Sequence, residues 1–400
     1  MTVTADLRPL RIPAFRRLWL ASAVSAIGGS FSALAIPAQL FASTRSSATV
    51  GIAAGVSFSV LAVAALWGGA LADRFDRRHV LLVAQAGLAA TYALLWVTAN
   101  LGSVHLLYVL VAAQGACLGA VLAASGATVP RVVPADLLPA ANSLSSLVRY
   151  TGSIVGPLLA GVLIPVVGLT TLYLFDALAL LAVSWAVFRL PALPPAAVGS
   201  ARLMDGFRYL CGQKVLVAVM LVDLAAMVFG MPVALFPELA TRAYGGAPGG
   251  GFQLGLLYAA YPAGVFVVGL LSGTFTRAKR HGALMASAAI AWGFAVVLLG
   301  LAPWLWLAVV ALFLGGAVNF VLSTFRNAIT QAATDDALRG RIQGALTVVL
   351  FGGPQIANLL HGLAGAAVGA RLAISVGGLL TVAAVAVVVR AAPQLWRYRG

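Results

Sequence analysis

The chain has 400 residues, 62% of them hydrophobic and 9% charged, with a mean hydropathy of +1.02. About a quarter of the residues of a soluble globular domain are charged, so these values exclude one and place the chain in a bilayer. Its two cysteines, Cys117 in an apolar run and Cys211 in a polar stretch, give neither a disulfide framework nor metal-ligand spacing. Zinc and redox chemistry are thereby excluded, and no metal or other cofactor is expected.

A spanning helix needs about 20 consecutive apolar residues. Hydropathy predicts twelve spans, at 18–42, 50–72, 79–99, 105–129, 140–165, 170–188, 215–238, 253–275, 282–301, 303–328, 342–366 and 371–389. The first follows Arg16 and Arg17 and is too long, with too many spans behind it, for a signal peptide. The net charge of +15 raises nucleic acid as a partner, but the 25 Lys and Arg form no patch. Twenty lie in connections on the N-terminal side, three (Arg45, Arg242 and Arg371) on the other, and Arg149 and Arg326 inside helices. This is the positive-inside rule. It predicts a multi-pass membrane protein with both termini cytoplasmic, whose basic charge needs no nucleic acid.

The longest inner connection starts at Pro191, Pro194 and Pro195 and divides the chain. The expected organisation is a six-helix bundle over 1–190, a cytoplasmic linker over 191–214 and a second six-helix bundle over 215–400. The halves repeat at one offset. Gly69, Leu71 and Arg77 recur as Gly269, Leu271 and Arg277, and Asp136 with Gly156-Pro157 recurs as Asp335-Asp336 with Gly353-Pro354. A common offset near half the chain length favours a duplicated unit of the kind secondary transporters use.

The sharpest motif is Gly69-Ala-Leu-Ala-Asp73-Arg74-Phe-Asp76-Arg77-Arg78, between the second and third spans. It resembles the signature loop of the major facilitator superfamily, Gly-x-Leu-Ala-Asp-Arg-x-Gly-Arg-Arg, with Asp76 in place of the second glycine. A small Gly69 permits close helix approach, and Asp73 can sit on the positive end of a helix. Arg131 and the amino end of helix 11, at Gly340 to Gln343, are its expected partners in a cytoplasmic latch. The fifth span carries Gly152, Gly156, Pro157 and Gly161. These resemble the Gly-x-x-x-Gly-Pro element of the exporter branches, which is associated with antiport. The Phe15-Arg-Arg-Leu-Trp19 lead-in, Leu174-Phe-Asp-Ala177 and Leu338-Arg-Gly-Arg341 are similar to one branch, the drug:proton antiporters that include macrolide efflux proteins and the enterobactin exporter. The resemblance covers essentially the whole chain. It implies an all-α membrane protein of two six-helix bundles related by a pseudo-two-fold, and proton-coupled export by alternating access without enzymatic chemistry.

Ionisable groups in the hydrocarbon are costly and mark function. Arg149, Asp176, Asp223 and Arg326 are therefore the candidates for proton coupling. Two pairs are within reach in depth: Asp223 with Arg326, whose depths differ by about 7 Å, a gap their side chains can span, and the competing Asp176 with Arg149; the first is favoured because the resemblance places helix 7 on the cavity. Ser25, Ser32 and Gln39 share one face of helix 1, as do Asn319, Ser323 and Arg326 of helix 10. The resemblance adds Gln114 and Ser125 of helix 4, Met227 and Phe229 of helix 7, and Phe320 to the substrate cavity. Single serines can equally be hydrogen-bonding glue between helices. His105 and His361 are expected at headgroup level. Trp96, Phe236, Tyr258, Tyr261 and Trp292 suit a hydrophobic or amphipathic small molecule, such as an antibiotic or siderophore. The other partners expected are protons and lipid, and the protein is expected to be a monomer. An embedded enzyme lacks its paired carboxylates, since Asp335-Asp336 reads as helix capping. An uptake symporter of the same fold is the alternative.

Overall fold

The computed structural model describes residues 6–125, 132–190, 212–247, 249–275, 278–334 and 339–399. Among these residues there are twelve long helices and no β-strand. The first six are α1 (Pro13–Thr44), α2 (Ser47–Arg74), α3 (Arg77–Thr98), α4 (Val104–Ser125), α5 (Leu138–Val167) and α6 (Leu169–Phe188). They are followed by α7 (Lys214–Gly230), α8 (Phe252–Leu270), α9 (His281–Leu301), α10 (Leu305–Ala332), α11 (Arg339–Val368) and α12 (Ala370–Ala391), then a short α13 (Pro393–Arg397). Among the described residues, eleven stretches are long and apolar enough to cross a membrane. Bulky apolar side chains such as Trp67, Val83, Val166 and Leu270 are more than two-thirds exposed, as faces turned to lipid require.

One span departs from expectation. Helix 7, expected over 215–238, ends at Gly230 and is followed by a 3-10 turn (Val233–Leu235), a single α turn (Phe236–Glu238) and a π turn (Leu239–Ala243). Pro232 has no N–H and its ring opposes a continuous helix, and Gly230 beside it has low helix propensity. Hydropathy sees only apolar residues through the break.

The chain divides into two compact units. The first comprises Met1–Arg45, Gly55–Val198 and Gly246–Ala259; the second comprises Ser46–Ala54, Gly199–Gly245 and Ala260–Gly400. Short segments at the starts of α2 and α8 therefore belong to the unit opposite the one their place in the sequence suggests. Residues 191–211, most of the expected linker, lie outside the described residues.

The packing within each unit repeats. In the first, α1 packs on α5 and α6, and α3 on α4 and α6. In the second, α7 packs on α11 and α12, and α9 on α10 and α12. The Gly-Pro elements occupy matching places, Gly156 of α5 facing Ser30 of α1 and Gly353 of α11 facing Met227 of α7. A side chain at Gly152 would lie 2.5 Å from the carbonyl oxygen of Ala26, and the Ser30 hydroxyl donates to the carbonyls of Ala26 (2.6 Å) and Gly152 (3.2 Å). Gly161 lies against Gly251 and Gly255 in the same unit, and Gly51 against Asn358 and Gly362 in the other. Small residues thus set how closely these helices cross.

Gly152→Val is expected to force α5 off α1 and destabilise the protein by about 1–3 kcal/mol, the usual cost of overpacking. Thermal unfolding of the purified protein in detergent checks this; an unchanged midpoint would show that the contact does not constrain α1.

Candidate functional site

Each unit holds a polar cluster inside its helices. In the first, Tyr173 and Asp176, three residues apart on α6, face Gln39 and Ser32, seven apart on α1. The backbone N–H of Ser32 donates to Asp176 Oδ2 at 2.6 Å. The Tyr173 hydroxyl donates to Gln39 Oε1 at 2.6 Å, and Gln39 Nε2 to the carbonyl of Ala99 at 3.2 Å. Behind them Gln114 of α4 donates to the Tyr92 hydroxyl of α3 at 2.7 Å. Asp176 and Ser32 are fully buried, and Ser25 is half-buried one turn before Gly29.

The second cluster is built on charge. Arg326 Nη1 of α10 reaches both carboxylate oxygens of Asp223 on α7, at 2.9 and 3.0 Å, and both side chains are buried. Its other nitrogens donate to Asn327 Oδ1 at 3.3 and 3.2 Å. Asn319 and Ser323 follow along the same helix, bonded to each other at 3.4 Å. Met227 packs on Gly353, and Phe320 lies near Gly269 and edge-on to Phe275.

The expected pairing of Asp176 with Arg149 is not formed. Arg149 is exposed on α5, where it donates to Ser146 Oγ at 3.1 Å and lies over the Tyr150 ring. Matching depths do not fix azimuth: α1 packs on both α5 and α6, and Asp176 is turned to α1.

The sequence profile of the transmembrane secretion effector family matches residues 4–397. The enterobactin exporter EntS of Citrobacter koseri is 30% identical over 372 residues, 92% of this chain and 88% of that one. The same exporter from Escherichia coli O1:K1 is 30% identical over 88% of this chain and 85% of its own.

The chain belongs to this secretion effector family.

Solved structures agree at the level of fold. A bacterial homolog of the human lysosomal transporter Spinster superposes with a TM-score of 0.73 at 15% identity, covering 97% of both chains. A bacterial homologue of the iron transporter ferroportin gives 0.70 at 13%, over 96% of this chain and 98% of its own. The protein is thus a multi-pass membrane transporter of the major facilitator type, an exporter by family and not an enzyme.

The family's signature loop is partly visible. α2 ends at Arg74, which is exposed, and α3 starts at Arg77. Asp76 caps α3, its carboxylate accepting from the Arg78 backbone N–H at 2.9 Å, with φ of −57°. A negative φ needs no glycine, which is why aspartate can stand there. The Arg78 guanidinium lies 5.2 Å from the Phe188 ring centroid. The surroundings of Gly69, the side chains of Asp73 and Ser125, and all of Arg131 lie outside the described residues, as do the side chains at the start of α11.

Several residues escaped the sequence reading. His361, expected at headgroup level, is instead buried, with Nε2 3.1 Å from the Phe229 carbonyl. A carbonyl can only accept, so Nε2 carries the proton. One turn earlier Asn358 Oδ1 accepts from the Ala234 N–H at 3.1 Å. Together the two side chains of α11 satisfy backbone groups on both sides of the break in α7. Gly230-Met-Pro232 was the available signal. Glu238 is also buried; it accepts from the Ser47 hydroxyl and from Arg242 Nη1 at 2.9 Å. Trp292 is a packing residue, its indole donating to the Ala226 carbonyl at 2.9 Å. Beyond the spans, burial raises the Tyr244 phenol above its ordinary pKa, opposed by Arg371.

Arg326→Met alone is expected to cost about 3–5 kcal/mol, because it leaves a buried carboxylate uncompensated. Adding Asp223→Leu should recover most of that stability without recovering transport. Unfolding midpoints and transport assays on the single and double variants check this; transport restored in the double variant would make the pair purely structural.

Proposed function

We propose that the protein is a proton-driven antiporter that exports a hydrophobic or amphipathic small molecule across the bacterial cytoplasmic membrane, as a monomer with both termini cytoplasmic. The observation that carries this reading is the buried Asp223–Arg326 pair between α7 and α10. The named relatives export enterobactin, which supports a siderophore or an aromatic compound of similar character as the substrate class.

The chemistry follows from charge. With Asp223 protonated, Arg326 is an uncompensated cation that needs water around it. An apolar substrate that fills the cavity excludes that water, and a lone buried charge is far more costly than a compensated pair. Substrate therefore favours the ion pair and expels the proton. Substrate and proton compete for one site, which is the requirement for antiport. Ser25, Ser32, Gln39, Gln114, Ser125, Met227, Phe229, Asn319, Phe320 and Ser323 are the residues we assign to the substrate path. Gly69, Asp73, Arg74, Arg77, Arg78 and Arg131 are assigned to a cytoplasmic latch, and Gly152, Gly156, Pro157 and Gly161 to the flexing element of α5.

Inverted vesicles decide the direction and the coupling. Acidifying the lumen should drive accumulation of a catecholate or macrolide probe, and adding the probe to purified protein should release protons. Asp223→Asn should abolish both. Probe uptake driven into right-side-out cells would identify a symporter, and proton release by Asp223→Asn with a wild-type pH profile would remove Asp223 from the mechanism.

A further inference from the structure

The helices hold a second carboxyl that the ion pair does not use. Asp176 is fully buried, and among the described residues it forms no ion pair and its Oδ1 has no hydrogen-bond partner. Its Oδ2 accepts from the backbone N–H of Ser32 at 2.6 Å. In a regular helix that amide pairs with the carbonyl of Gly28, four residues back. The bond falls in the weakest stretch of α1. Gly28 and Gly29 lower its helix propensity by about 1 kcal/mol each relative to alanine, and Pro37 leaves the carbonyl of Ala33 without its usual donor. Gly28 also brings the two helices together, since a side chain there would meet Ala179 Cβ at 2.7 Å. The Ser32 hydroxyl lies beside the same carboxyl and makes no other hydrogen bond among the described residues. The titratable groups around Asp176 are Tyr173 on its own helix and Tyr92 on α3; α1 contributes only Ser32 and Gln39.

We propose that Asp176 is a positioning residue that pins the backbone of α1 at Ser32, and that protonation of its free Oδ1 releases the pin and lets α1 bend at Gly28-Gly29. A carboxylate accepting from a backbone amide makes a charge-assisted bond roughly twice as strong as a neutral one. When Oδ1 takes a proton, the group becomes a neutral acid: Oδ2 is a poorer acceptor for the Ser32 amide, and Oδ1–H becomes a donor for which the Ser32 hydroxyl is the acceptor. Proton uptake on α6 thereby changes the hydrogen bonding of α1, a helix that carries cavity residues. The part of this inference that concerns coupling rests on the proton-driven reading above; the pin itself does not.

Hydrogen exchange at the Ser32 amide, corrected for intrinsic rate, reads the pin without transport. In the wild-type protein in nanodiscs, protection should fall at least about tenfold between about pH 10 and about pH 6. Asp176→Asn should show the low value at every pH, Asp176→Glu should keep a pH-dependent profile with a shifted midpoint, and Asp223→Asn should leave the profile as in the wild type. Flat protection in the wild type, or a wild-type profile in Asp176→Asn, overturns the proposal. If Asp176→Asn does not fold, the wild type and Asp176→Glu still decide. Probe-induced proton release by Asp176→Asn at the wild-type amount would overturn the coupling role. Absence of release from the wild type, with the Ser32 profile intact, would fail the antiport reading and leave the pin standing.

Discussion

The hydrocarbon core of a bilayer, about 30 Å thick, offers no hydrogen bonds, so a polar group carried into it is costly unless it finds its partner within the protein. Long helices are the first consequence. The second is that any departure from helix must be compensated by side chains. α7 departs at Met231-Pro232, and α11 supplies the compensation, with His361 at the Phe229 carbonyl and Asn358 at the Ala234 amide. A break of this kind is tolerated only when its freed backbone groups are held, so α7 and α11 act as one element around it. The histidine is well suited to the task, because its Nε2–H donates in both protonation states. Its bond to the carbonyl therefore survives pH changes that would switch a carboxylate.

The same constraint governs charge. Asp223 and Arg326 are tolerable together in a buried site and neither is tolerable alone. Removing either partner leaves the other as an uncompensated buried charge. Further along the same span, the Ser47 hydroxyl and Arg242 hold the buried carboxylate of Glu238 in the single helical turn past the break. The seventh span therefore carries one compensated carboxylate before the break, on α7, and one after it.

Much of this was legible in the sequence because the bilayer makes the code simple. Apolar length located the helices, and the sorting of Arg and Lys gave the expected sidedness. The Asp73-Arg74 and Gly156-Pro157 motifs pointed to the superfamily that the family match then established. Asp223 and Arg326 were readable as partners because two ionised groups at matching depth have few alternatives. Depth is only one coordinate, however. Asp176 and Arg149 matched equally well along the membrane normal and are kept apart by azimuth, with α1 packed on both of their helices. That information lies in helix packing and not in spacing along the chain. Hydropathy likewise passed over the break in α7, because Gly230, Met231 and Pro232 are no more polar than their neighbours. Glu238 went unread because it stands at the end of an apolar run, where a carboxylate is ordinarily solvated. Here Ser47, almost two hundred positions earlier, covers it.

The two units share a packing plan and differ in what they do with charge. α1 against α6 corresponds to α7 against α12, and α5 against α1 to α11 against α7. Yet the first unit buries a carboxylate on α6 with a backbone amide as its recorded partner, while the second buries one on α7 against an arginine of α10. A duplicated scaffold can diverge in this way because helix packing depends on small residues at a few crossings, such as Gly152 on Ala26 and Gly353 on Met227. Those crossings leave the remaining faces free to acquire polar groups independently. The amide of Ser32 can be claimed by a side chain because Gly28 lets α6 approach closely enough to reach it. In the second unit the corresponding helix, α7, is instead broken outright and held by α11. In the first unit a side chain of α6 reaches a backbone amide of α1, and in the second the side chains of α11 hold backbone groups on both sides of the break after Gly230, so in each unit a backbone group of one helix is held by a side chain of the next.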